Sequence, residues 1–164
     1  MGFAYIGVGS NLEQPRKQVE RAIDALKLLS DEGKIKVSSI YQSTPMTHTH
    51  EISQQADYIN AVVRINNSDT PIELLDALQS IENTQGRVRT SEHWTARTLD
   101  LDLLLFDDQV INLPRLTVPH YGLQQRNFVI YPLFDIDANL ILPDRTTIKS
   151  LYESCSADGI RKIE

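Results

Sequence analysis

The chain has 164 residues, 41% of them hydrophobic, with 7 glycines and 7 prolines, which suits one globular domain around a single core. A formal net charge of −6 argues against broad binding to nucleic acid or to an anionic membrane surface, because both need a positive field. No apolar run approaches the length of a membrane helix, and the start, MGFAYIGVGSNL, lacks the basic region and cleavage site of a leader; Ile6 also stands where a myristoylation signal wants Ser or Thr.

In chain order, Phe3–Gly9 is a short apolar run ending in glycines, as a buried strand requires. Val19, Ala22, Ile23, Leu26 and Leu29 then recur at helical spacing, with Pro15 near the start. Lys34–Tyr41 reads as a strand with Ile35, Val37 and Ser39 on one side. A long loop follows, and Asp57–Ile65 is the next strand. Thr70-Pro71-Ile72-Glu73 has the form of a capping box with proline at the first helical position. Leu74, Leu75, Leu78 and Ile81 make the apolar stripe of that helix, and Gly86 suits its stop. Thr98–Phe106 is the fourth strand. From Asp107 the pattern predicts a loop, a short strand in NFVIYPL and a C-terminal helix on which Ile148, Leu151, Tyr152 and Cys155 share a face. Cys155 has no cysteine partner; it reads as a small buried hydrophobe and fits a reducing cytoplasm. The order strand–helix–strand–strand–helix–strand predicts an α+β, ferredoxin-like βαββαβ core. Its sheet is mostly antiparallel, with helices packed on it, and a C-terminal extension follows; residues 1–164 form a single domain. That fold hosts many chemistries and does not fix function.

The fourth strand, RTLDLDLLLF, carries a carboxylate at every second position. Alternation puts Leu99, Leu101, Leu103 and Leu105 on one side and Asp100 and Asp102 on the other. Two carboxylates about 6.5 Å apart repel unless a cation lies between them. Magnesium, which takes one or two carboxylates plus phosphate oxygens and water, suits the pair; calcium would want more protein oxygens. Alone, the motif reads better as a solvated face of an edge strand. The preceding segment GRVRTSEHWTAR, however, brings Arg87, Arg89 and Arg97 beside it, and phosphoryl chemistry needs both kinds of charge. There is no Walker A sequence, and the glycines at 7 and 9 fail the G-x-G-x-x-G pattern at its last position.

Taken together, GSNL, DYINAV, QSIENTQGRVR, RTLDLDLLLF and LTVPHY appear in an order that resembles the 6-hydroxymethyl-7,8-dihydropterin pyrophosphokinase family, from Ala4 to about Asp144. The resemblance implies a ferredoxin-like enzyme of folate biosynthesis. It would transfer diphosphate from ATP to the hydroxymethyl group of a reduced pterin, with two Mg2+ ions and AMP as the other product. It implies Asp100 and Asp102 as metal ligands, and Arg87 and Arg97 as catalytic arginines on a mobile loop that also holds Arg89 and Trp94. Leu75, Gln79, Glu82, Arg89, Trp94, Leu103, Arg115, Thr117, His120, Tyr121 and Arg126 match ATP-contacting positions; Glu82 by itself reads as solvated. Ser43, Pro45, Met46, Tyr58, Asn60, Trp94 and Phe128 match pterin-contacting ones. A flat polar heterocycle calls for aromatic faces and hydrogen bonds at its rim. ATP and the pterin are then the partners of a cytoplasmic monomer, with no nucleic acid and no membrane.

Three departures from the family pattern stand out: Thr95-Ala96 where Gly-Pro is usual, Ser43 where threonine is usual, and a longer 47–56 loop without the common glycine. His48, His50 and Glu51 in that loop are expected in solvent rather than on a metal. An RNA-recognition domain has the same element order, but its aromatic signature is missing from both central strands, and two aspartates would repel a phosphate backbone. A metabolite-sensing ferredoxin-like domain would have no use for the arginine-rich segment.

Overall fold

The computed structural model describes residues 2–11, 14–44, 57–85 and 99–163. Strand β1 is Gly2–Ser10, helix α1 Pro15–Leu29, β2 Ile35–Val37, β3 Tyr41–Ser43, β4 Tyr58–Asn67, α2 Pro71–Gln85 and β5 Asp100–Phe106. A hairpin of β6 (Ile111–Leu113) and β7 (Leu116–Val118) follows, then α3 (Asn127–Ile136), α4 (Ile148–Ser154) and β8 (Ile160–Lys162). The main sheet runs β5-β1-β4-β3-β8, with β2 also paired to β4, and its pairings are antiparallel. This is the expected ferredoxin-like core, extended at one edge by the C-terminal strand.

The expected strand 34–41 is two pieces. At the break, Ser38 N–H donates to the Val62 carbonyl at 2.9 Å, and Val62 N–H donates to Ser38 Oγ at 2.9 Å. A hydroxyl thus takes over one rung of the ladder, which lets the strand step aside and resume at Tyr41. The start of α2 is as read: Thr70 N–H donates to Glu73 Oε1 at 3.0 Å and Glu73 N–H to Thr70 Oγ1 at 3.2 Å.

The sheet is covered on both faces. On the first, Ile6 and Val8 of β1, Val63 and Ile65 of β4, and Leu101 and Leu103 of β5 pack under Leu26 of α1 and Leu74 and Leu78 of α2. On the second, Tyr5, Val62, Leu104 and Leu105 pack under Val129, Ile130, Leu133 and Ile136 of α3, with Ile148 of α4 behind them. Two expectations fail here. NFVIYPL is the start of a helix, not a strand, and Pro132 lies inside it. The apolar residues 129, 130, 133 and 136 follow the helical period once the run is extended to Ile136, and that stripe is what the second face buries. The alternation of leucines on β5 also breaks. Tyr5 pairs with Leu105 but Ile6 with Leu103, so Leu104 is an extra residue in a bulge. Leu105 therefore turns to the second face with Leu104, while Phe106 turns to the first. Asp100 and Asp102 precede the bulge and stay on the second face, opposite Gly9 and Gly7.

Candidate active site

Helix α3 covers only part of the second face. Where its first turn begins, the sheet floor is left open, and a cavity of about 310 Å3 results. Its floor is β1 at Gly7 and Gly9, β4 at Tyr58 and Asn60, and β5 at Asp100 and Asp102. Ser43 and Thr44 form one wall, and Arg126, Phe128 and Val129 the other. The glycines matter because they face the aspartates across the ladder and put no side chain over them. At Gly9 a Cβ would come within 3.2 Å of Asn60 Oδ1, tighter than ordinary contact.

The cavity has two chemical ends. At one, Asn60 is buried and donates from Nδ2 to Ser43 Oγ at 2.6 Å, which fixes the plane of its amide. Tyr58 and Phe128 supply aromatic faces nearby. Burial, with the Asp100 carboxylate adding to it, holds the Tyr58 phenol above its ordinary pKa, so it stays neutral. At the other end are the two carboxylates. Asp102 is 48% exposed, and His120 Nε2 lies 3.9 Å from its Oδ2. Gly122 N–H donates to His120 Nδ1 at 3.1 Å, so the neutral ring carries its proton on Nε2, facing Asp102. Burial lowers the His120 pKa; Asp102 opposes the shift and Arg126 reinforces it. Arg126 stands over the rings of Tyr121 and Phe128, 5.3 and 5.8 Å from their centroids.

Glu82 is not solvated. It is 6% exposed, and its Oε2 accepts from the N–H of Leu101, the residue between the two aspartates, at 2.9 Å. Helix periodicity placed it on a face with Gln79 but could not show that this face lies against the edge of β5.

Seven of the residues singled out from sequence line one cavity: Ser43, Tyr58, Asn60, Asp100, Asp102, Arg126 and Phe128. Leu75 and Leu103 lie in the first-face core, 9% and 3% exposed. Gln79, Arg115, Thr117 and Tyr121 are exposed and do not line the cavity. Arg115, between β6 and β7, donates to Asp76 at 2.5 Å and to Gln79 at 3.3 Å on α2. Arg87, Arg89, Trp94, Arg97, Pro45 and Met46 lie outside the described residues, as does the 47–56 loop. Gly7, Gly9 and Thr44 were missed as lining residues. The glycines read as the end of a buried strand and fail a nucleotide-binding motif, although a strand partner without side chains is what exposes an aspartate pair.

The donor set suits a hard divalent cation. Two carboxylates on one strand supply hard oxygen, and among the described residues no group of three or more His, Cys, Asp and Glu encloses a metal. Such a site leaves coordination positions for water and phosphate oxygens, as magnesium prefers.

The chain is similar to known proteins. Residues 5–138 match the family model of 7,8-dihydro-6-hydroxymethylpterin-pyrophosphokinase. The chain is 43% identical over 159 residues to the 2-amino-4-hydroxy-6-hydroxymethyldihydropteridine pyrophosphokinase of Pseudomonas aeruginosa, covering 97% of this chain and 95% of that protein. It is 46% identical over 160 residues to the protein of the same description from Haemophilus influenzae, covering 98% and 97%. Its fold is similar to wild-type Plasmodium falciparum HPPK-DHPS solved with pteroate, with a TM-score of 0.72 at 14% identity, over 93% of this chain and 44% of that one.

Proposed function

The chain belongs to the 7,8-dihydro-6-hydroxymethylpterin-pyrophosphokinase family and is an ATP-dependent pyrophosphokinase of folate biosynthesis, and we propose that the cavity at Asp100 and Asp102 is where its chemistry occurs. The substrate that receives the diphosphate is 6-hydroxymethyl-7,8-dihydropterin. Its ring lies between Tyr58 and Phe128, with Asn60, Ser43 and the segment at Pro45 and Met46 at its rim. Its hydroxymethyl oxygen then points along the floor toward the aspartates. That oxygen forms a bond to the β-phosphorus of ATP and gives up its proton. The bond from the β-phosphorus to the α–β bridging oxygen breaks, and AMP leaves with that oxygen.

Asp100 and Asp102 would hold two Mg2+ ions, which when bound supply positive charge to the phosphate oxygens. Arg126 brings a further cation to the same wall. Arg87 and Arg97 carry the transferring group, and Arg89 and Trp94 belong to the segment that closes on it. ATP extends from the aspartates past His120 along the outer edge of β5. There Gln79, Arg115, Thr117 and Tyr121 contact it, over the base formed by Leu75 and Leu103, while Glu82 holds the strand from beneath through Leu101 N–H. The chain works as a single domain, residues 1–164, and as a monomer in the cytoplasm. No helix among the described residues is long and apolar enough to cross a membrane.

One observation carries the reading: aromatic faces, a buried amide and a carboxylate pair share a cavity of about 310 Å3. Purified protein with ATP, Mg2+ and the hydroxymethyl-dihydropterin should release AMP. Asp102→Ala should lose turnover about a thousandfold or more while melting within a few degrees of wild type, because the residue is half exposed. Retained turnover in that variant refutes the metal assignment.

A further inference from the structure

The family-model match ends at residue 138, yet the chain beyond it bonds to Thr44 and pairs with Ser43, which line the cavity. Asn127, the first residue of α3, donates from Nδ2 to the carbonyls of Ser156 and Asp158, each at 3.0 Å. Both partners are acceptors, so only the amide nitrogen can face them. The same turn continues to Gly159, whose carbonyl accepts from Thr44 N–H at 2.9 Å. Gly159 has φ +75°, and a Cβ there would lie 2.5 Å from Thr44 Oγ1, so only glycine allows this approach. Strand β8 then runs beside β3, pairing Ile160 with Ser43 and Arg161 with Gln42. Arg161 Nη2 donates to Gln42 Oε1 at 2.9 Å, and Gln42 Nε2 donates to Asp57 Oδ2 at 2.8 Å. Thr44 and Asp57 are the residues that flank the segment 45–56.

We propose that the C-terminal turn and β8, gripped by Asn127, form a clamp that positions the pterin pocket. The clamp ties the end of α3 that carries Phe128 to the strand that carries Ser43. It also fixes both flanks of segment 45–56. The proposal rests on the reading of Ser43, Tyr58, Asn60 and Phe128 as the pterin site. Asn127 is a positioning residue: its amide is spent on the turn, and it acts through Phe128 on one wall and Thr44 on the other. These hydrogen bonds run to β3 and the turn, not to Asp102 or His120, so the clamp governs the heterocycle end and leaves the phosphate end alone.

The test uses full-length Asn127→Asp, which removes both donors and sets a carboxylate against two carbonyls. Calorimetry measures affinity for 6-hydroxymethylpterin, in the presence of Mg2+ and a non-hydrolysable ATP analogue, and separately affinity for that analogue. Pterin affinity should weaken about tenfold while nucleotide affinity stays within about twofold, the loss expected of two hydrogen bonds that act on one site only. The KM for the dihydropterin should rise with kcat close to wild type. Gly159→Ala, which pushes the turn off Thr44 from the other end, should give the same split. Unchanged pterin affinity in both variants overturns the clamp. So does an equal loss for both ligands, which would mean that Asn127 merely supports the fold. Wild-type protein that binds no pterin refutes the reading of the pocket itself, so the two failures are told apart.

Discussion

Glu82→Ala perturbs the strand that carries the carboxylates without touching either one. The Glu82 side chain is buried, and its Oε2 accepts from Leu101 N–H at 2.9 Å. Removing that acceptor from a buried amide costs about 1–3 kcal/mol. For a chain of this size, about 2 kcal/mol corresponds to a fall of about 4–8 °C in melting temperature. The effect on turnover should be larger. Leu101 lies between Asp100 and Asp102 on an edge strand, and losing its anchor frees both carboxylates to shift. A misplacement of about 1 Å in a catalytic group can cost about a hundredfold, so kcat should fall about 10- to 100-fold. The KM for the dihydropterin, whose proposed contacts are Tyr58, Asn60 and Phe128, should hardly move. Glu82→Gln keeps an acceptor and should lie between. Differential scanning fluorimetry gives the stability and AMP release gives the rate. A fall in melting temperature with kcat unchanged would refute the link between the strand's anchor and the chemistry. A loss of kcat with no loss of stability would show that Glu82 acts on substrate directly.

Gly9→Ala places a Cβ 3.2 Å from Asn60 Oδ1 and should turn the amide that donates to Ser43 at 2.6 Å. The dihydropterin KM should rise about three- to tenfold; steady-state kinetics showing a dihydropterin KM at the wild-type value would refute this. At the start of α2, the backbone N–H and the hydroxyl of Thr70 hold the Glu73 carboxyl below its ordinary value of 4.5. A depressed folded value means that the contribution to stability is fully present above the ordinary value and is lost as pH falls from there through the folded one. The gap in melting temperature between wild type and Glu73→Gln should therefore close as pH drops below 4.5; a gap that stays constant would refute the capping role of the charge.

The parts of the fold legible in the sequence are those with one period and one partner layer. The stripe of α1, the capping box of α2 and the alternation on β4 each face a single core, so local pattern and tertiary packing agree. The misreadings arose where long-range pairing overrides local pattern. Whether NFVIYPL is strand or helix depends on the second face of the sheet, which needs a helical stripe across it. The bulge at Leu104 follows from pairing with β1, and no residue in LDLLLF announces it. The three residues of β8 are too few to carry a period, and they exist as a strand because β3 offers them an edge. Of the cavity's lining, Asp100 and Asp102 were legible because they alternate on one strand, whereas Tyr58 and Phe128 stood out only through the family resemblance. The role of Glu82 was not, because a carboxylate on a helix gives no sign of the strand edge it will meet.

Placing the carboxylates on an edge strand answers a physical conflict. A polyphosphate and its cations need an approach unblocked by sheet or helix, and a central strand buried on both faces cannot give one. An edge strand can, but it leaves unpaired N–H and C=O groups that invite slippage and foreign pairing. Here the outer edge of β5 is closed at two points: Glu82 takes the N–H of Leu101, and His120 N–H donates to the carbonyl of Leu104 at 3.0 Å. On its inner side β5 is locked to β1 by the ladder, and the bulge pins the register, because a one-residue slip would carry Asp100 and Asp102 to the first face and into its apolar core. The same bulge turns Leu104 and Leu105 under α3, so the strand is anchored on the second face only past the point where its aspartates are spent. Open approach and fixed position are thus met on consecutive stretches of one strand, and this is why a seven-residue strand carries both a carboxylate face and a share of both cores.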